Sequence, residues 1–123
     1  LEDRSISILA YNLETILAEK LETVISRADQ NTRPRDYYDI YVLMKLQSHN
    51  VELSSLKAAL EATCNKRGSA DIVKGYIQIM DRVKNSNVMQ DQWSKYQQEF
   101  DYAADIAFND TCDTVISVMN AIN

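Results

Sequence analysis

Between residues 13 and 25 the apolar positions Leu13, Ile16, Leu17, Leu21, Val24 and Ile25 recur three and four apart. That spacing predicts an amphipathic helix with one buried stripe. Asn12 is the expected N-cap, Glu14 suits the positive end of the helix dipole, and the helix should end near Arg27. "ADQNT" reads as a loop, and Pro34 opens a second helix through "RDYYDIYVLMKLQ", where its missing N–H costs nothing. "LSSLKAALEATCNKRG" predicts a third, capped by Ser54 or Ser55, burying Leu56, Ala59, Leu60 and Thr63, and stopped by Gly68.

"DIVKGYIQIMDRVKNS" predicts a fourth helix with Ile72, Tyr76, Ile79, Met80 and Val83 on one face, weakened at Gly75 by about 1 kcal/mol relative to alanine. Met89, Trp93, Tyr96 and Phe100 mark a fifth. "DTCDTVISVMNAI" predicts the last, capped by Asp110, with Cys112, Val115, Ile116 and Met119 inward. Ahead of all of these, residues 4–10 alternate Ile6, Ile8 and Ala10 with Ser5, Ser7 and Leu9, a period-two signal for a short strand. A lone strand needs a sheet that the rest of the sequence does not supply. With Leu1 rather than methionine in first place, this predicts a fragment of something longer. The expected fold is mainly α: five to six helices in one domain over residues 1–123, with a short N-terminal strand.

Composition sharpens that picture. Two glycines and one proline in 123 residues are too few for the turns of an all-β fold. A net charge of −5 argues against a dedicated nucleic-acid surface, although a local basic site remains compatible with it. Two cysteines, Cys64 and Cys112, make no disulfide framework and read as small buried residues of a reducing compartment. Neither a membrane-spanning run nor a signal-peptide pattern is evident, so a cytoplasmic chain is expected.

One residue breaks the pattern. Lys20 falls within the first helix's apolar stripe, one turn after Ile16 and one before Val24. A lysine beside such a stripe ordinarily snorkels to water, but one in its middle needs a carboxylate or an anionic ligand. Asp36 and Asp39 share a face of the second helix, and the short connection predicts antiparallel packing that brings them to Lys20. On these residues alone a structural ion pair is the first reading, and a cleft that handles phosphate and moves a proton is the second. Arg33 and Arg35 have the fork geometry for phosphate, though arginines in a turn are most often solvated. Tyr37, Tyr38 and Tyr41 read as packing residues, His49 as surface, and no metal site is evident.

"YNLETILAEKLETVISR" followed by "NTRPRDYYDIYVLM" resembles the AbiEii family of nucleotidyltransferase toxins, the toxin half of a bacterial abortive-infection system against phage. That family shows Tyr-polar-Leu-Glu, then Ala-Glu-Lys, a loop, and Arg-x-Lys/Arg-Asp-x-Tyr-Asp. Here these fall on Tyr11, Leu13 and Glu14; Ala18, Glu19 and Lys20; and Arg33, Arg35, Asp36, Tyr38 and Asp39. "LKAALEATCNKRG" resembles the next helix of the family, and Trp93, Tyr96, Tyr102, Ala103, Ile106 and Phe108 fall in register with its C-terminal helices.

The resemblance implies the C-terminal part of a DNA-polymerase-β-like nucleotidyltransferase. The N-terminal sheet, with its Gly-Ser motif and Mg²⁺-binding acids, is absent: the Gly-Ser of "RGSADI" lies after the other motifs. It further implies Lys20 on the triphosphate, Asp36 as polar or general-base group, Asp39 in support, and Arg33 and Arg35 as substrate-binding residues. Mg²⁺ and a nucleoside triphosphate are expected of the full-length protein and neither of this fragment, which should be inactive alone. A cognate antitoxin is the implied partner and RNA, including the tRNA acceptor end, an implied acceptor. The alternative is a non-catalytic helical module that docks an antitoxin or another protein.

Overall fold

A computed structural model describes the backbone of residues 2–123 and side chains from Leu13 onward. Seven α-helices are present among the described residues: α1 Glu2–Arg27, α2 Pro34–Gln47, α3 Leu53–Arg67, α4 Ala70–Lys74, α5 Tyr76–Lys84, α6 Asn87–Glu99 and α7 Phe108–Ile122. Short 3₁₀ turns lie at Ala28–Gln30, Ser48–Asn50 and Asp101–Ala103. The mainly α expectation holds. The bounds of α1 take in residues 4–10, where the alternation suggests a strand; the side chains that carry that reading lie outside the described residues. Asn12 accordingly falls inside α1 rather than at its cap.

α1 is the central element. It packs most extensively on α3 and also meets α2, α4 and α5, while α7 packs on α2, α3 and α5. Leu13, Leu17, Ala18, Leu21, Val24 and Ile25 of α1 are fully or almost fully buried. From Leu17 onward these join a core with Tyr37, Ile40, Leu56, Met80, Val83, Cys112, Val115 and Met119. Each such side chain contributes about 1.5–3 kcal/mol by leaving water. Tyr37 meets Phe108 edge-on with ring centroids 5.1 Å apart, tying α2 to α7.

Several local expectations are corrected. The "DIVKGYIQIMDRVKNS" helix is two helices, because Gly75 interrupts it. Val73 is buried and Ile72 is exposed, so the inward face of this stretch runs through Val73, Met80 and Val83. Glu52, not Ser54 or Ser55, occupies the N-cap of α3, and its carboxylate accepts a hydrogen bond from the Ser54 hydroxyl. α7 starts two residues before Asp110, which lies in its first turn and complements the dipole there. Gly68 does end α3, in the left-handed conformation with φ 70°. No described helix is long and apolar enough to cross a membrane.

Cys64 and Cys112 are both free and buried. Burial pushes the Cys112 thiol up from 9.0 to about 12. Between those values the native state holds a proton that the unfolded chain has lost. Stability is therefore full below pH 9 and declines as pH rises toward 12, by up to about 1.4 kcal/mol per pH unit. Urea denaturation from pH 8 to pH 11 should show a shallower decline for Cys112→Ala than for the parent protein. Parallel slopes would mean the thiol titrates alike in both states.

Candidate functional site

The turn between α1 and α2 is built by local chemistry. Ala28 leaves α1 with φ 51°, a left-handed conformation unusual for a residue with a Cβ, and is buried there. Asn31 is fully buried, and its Oδ1 accepts a hydrogen bond from the Arg33 backbone N–H at 3.0 Å. This Asx turn sets Arg33 immediately before Pro34, which starts α2. The chain then returns alongside α1 with Asp36 and Asp39 toward Lys20.

Lys20 Nζ donates a hydrogen bond to Asp39 Oδ2 at 2.9 Å and lies 3.9 Å from Asp36 Oδ1. Its side chain is 25% exposed, against 24% for Asp39 and 5% for Asp36. Lys20 therefore stands at the margin of the apolar stripe, not in its middle. At 3.6 residues per turn it is rotated about 100° from its buried neighbour Leu21, beside the half-buried Ile16. Arg33 Nε is 3.8 Å from Asp36 Oδ2, and Arg35 Nε is 3.8 Å from Asp39 Oδ2. Both arginines are mostly exposed. Asp36 Oδ2 is buried from water yet makes no hydrogen bond, an unusual state for a carboxylate oxygen.

Lys20, Asp36 and Arg33 line one end of an open groove of about 540 Å³. Its other end carries residues that spacing alone does not single out. Glu22, only 5% exposed, accepts a hydrogen bond from Arg67 Nη1 at 2.6 Å. Arg67 Nη2 also lies 3.5 Å from Glu19 Oε2, and Thr23 Oγ1 accepts a further bond from Nη1 at 3.2 Å. The hydrogen bond to Glu22 is the main reason the Arg67 guanidinium is held above its ordinary range. Arg67 sits in the last turn of α3, where a cation ordinarily serves the helix dipole. Only the packing of α3 on α1 turns it toward a buried carboxylate 45 positions away.

Lys20, Arg27, Arg33 and Arg67 thus face the groove together with Glu19, Glu22 and Asp36. The cations suit an anionic ligand such as a phosphate chain. The donor set does not fit a divalent cation. Asp36 and Asp39 share one lysine, each has an arginine beside it, and among the described residues no three His, Cys, Asp or Glu side chains converge to hold a metal. His49 is exposed, as expected.

Arg67→Met should lower stability by about 1–3 kcal/mol in urea denaturation, because it leaves the Glu22 carboxylate buried without its cation. Adding Glu22→Gln should recover most of that loss. A double variant no more stable than Arg67→Met would show that the arginine acts through its packing.

With this geometry in place, comparison with known proteins adds one finding. The family model described as "Nucleotidyl transferase AbiEii toxin, Type IV TA system" matches residues 1–115. No curated protein and no solved structure matches the chain.

Proposed function

The chain belongs to the AbiEii family of nucleotidyl transferase toxins of type IV toxin–antitoxin systems, and from that premise we propose that Lys20, Asp36 and Asp39 form the helical wall of a nucleotidyltransferase cleft. The observation that carries this reading is the convergence of Lys20 on two carboxylates at a groove, with Asp36 Oδ2 left without a hydrogen bond.

In this account the Lys20 ammonium faces the phosphates of a nucleoside triphosphate and offsets the charge that develops on the transferred group. Asp39, at 2.9 Å, holds that ammonium in place. Asp36 accepts the proton of the attacking hydroxyl as the hydroxyl oxygen bonds to the α-phosphorus and pyrophosphate departs. Arg33 and Arg35 stand at the rim, where a guanidinium can take a phosphate oxygen in two hydrogen bonds. The residues of this groove offer no divalent-metal site, so we assign Mg²⁺ to a catalytic sheet outside these 123 residues, which taken alone would be inactive. RNA is the proposed acceptor class, a cognate antitoxin the proposed partner, and the bacterial cytoplasm the proposed setting.

The test is transfer of labelled nucleotide to total RNA by the intact native polypeptide, each of the four triphosphates in turn. Transfer should be lost by at least about 100-fold in Lys20→Ala and in Asp36→Ala, the scale at which single electrostatic or proton-transfer groups act. Melting temperatures should stay within a few degrees of the parent. Undiminished transfer by both folded variants would overturn the assignment of these residues.

A further inference from the structure

The exposed side of α2 carries a second pattern, which the groove does not use. Arg35, Tyr38, Tyr41 and Lys45 recur three and four apart, so they share one face of the helix. Arg35 and Lys45 are exposed, and both tyrosines are only partly buried. Tyr38 packs against Tyr102 with ring centroids 4.6 Å apart. Lys45 Nζ lies 5.4 Å from the centre of the Tyr41 ring, within cation–π range.

Tyr102 is the telling residue. It is 51% exposed, although a large aromatic side chain gains most from burial. Its position is nonetheless fixed. Its hydroxyl is 2.8 Å from that of Tyr96, and its ring packs against Phe100 with centroids 5.2 Å apart. The 3₁₀ turn that carries it is pinned from α6: Gln97 Nε2 donates to the carbonyls of Ala103 and Ile106 at 3.2 and 2.9 Å, and Trp93 Nε1 donates to Ile106 at 2.9 Å. Core packing explains Tyr96 and Trp93. It does not explain a rigid, half-exposed ring beside a face of two tyrosines flanked by two cations.

We propose that Tyr102 and the Arg35–Tyr38–Tyr41–Lys45 face of α2 form a stacking track for one or two unpaired nucleotides of a single-stranded nucleic acid. Aromatic rings stack on the π-face that every base presents, and a cation between them meets the phosphate. The track runs toward Lys20, since Arg35 Nε lies 3.8 Å from Asp39 Oδ2, the oxygen that takes the Lys20 hydrogen bond. An acceptor strand held on it would run toward Lys20 and Asp39; that placement, and only that, rests on the proposed nucleotidyltransferase reading.

The test is binding of fluorescein-labelled ten-nucleotide oligoadenylates, RNA and DNA, to the intact polypeptide by anisotropy. It omits nucleotide and Mg²⁺, so its failure is separate from any failure of transfer. Single strands should bind and a labelled duplex should bind at least about tenfold more weakly. Tyr102→Leu should raise Kd at least about fivefold, in line with the loss of one stacked base, while Tyr102→Phe retains parent affinity. The logarithm of affinity should fall with the logarithm of salt at a slope of about −0.7 to −1.4, the release of one or two phosphate counterions. Binding of RNA alone would identify RNA as the ligand, and equal binding of both would mean the sugar is unread; either supports the track. Absence of single-strand binding, or equal affinity of folded Tyr102→Leu and the parent, would overturn it.

Discussion

The apolar side of α1, buried in the common core, decides where a single lysine meets two carboxylates. Lys20 sits where α1 turns from core-facing to solvent-facing, and α2 returns so that Asp39 takes its hydrogen bond and Asp36 stands one ångström further off. Lys20 and Asp39 are each about a quarter exposed, and ion pairs of that kind contribute on the order of 1 kcal/mol or less. The apolar side of α1 contributes far more, through Leu17, Leu21, Val24 and Ile25 in the common core. The framework therefore positions the charges, and the charges do little to hold the framework. Such a division leaves Lys20 and Asp36 available for a ligand.

The same separation runs through the rest of the molecule. Hydrophobic contacts fix α1 against α3, and that contact brings Arg67 onto the buried Glu22 in the lining of the groove. Edge-on packing of Tyr37 on Phe108 fixes α2 to α7. Tyr38, one residue further on, is left at the surface against Tyr102. Because consecutive helical residues point about 100° apart, one turn of α2 faces three ways: Asp36 and Asp39 toward Lys20, Tyr37 into the core and Tyr38 toward Tyr102.

Much of this was legible in the sequence. The apolar periodicity located α2, α3 and α6 within two residues of their observed limits, and Pro34 and Gly68 marked two boundaries correctly. The meeting of Lys20 with Asp36 and Asp39 followed from a short connection between two amphipathic helices. Other features were not legible, for identifiable reasons. Spacing alone makes Gly75 a weak point within one helix, whereas the helix breaks there and Ile72 is exposed. Lys20 was placed mid-stripe because one-dimensional spacing cannot show where a stripe ends; its margin depends on which neighbouring helices cover it. Arg67 and Glu22 are 45 positions apart, and nothing local in the sequence distinguishes that arginine from one that serves a helix dipole. Nothing in the spacing of Tyr102 signals its half-exposed position, which the pinned turn that carries it sets.

The central claim is that the lysine–carboxylate cluster exists for a ligand and not for stability. A double-mutant cycle in urea with Lys20→Met, Asp39→Asn and the combined variant measures this directly. The account predicts a coupling energy of about 1 kcal/mol or less, as for partly exposed pairs. A coupling of about 3 kcal/mol or more, the scale of a buried structural pair, would contradict it and make Lys20 and its aspartates part of the scaffold.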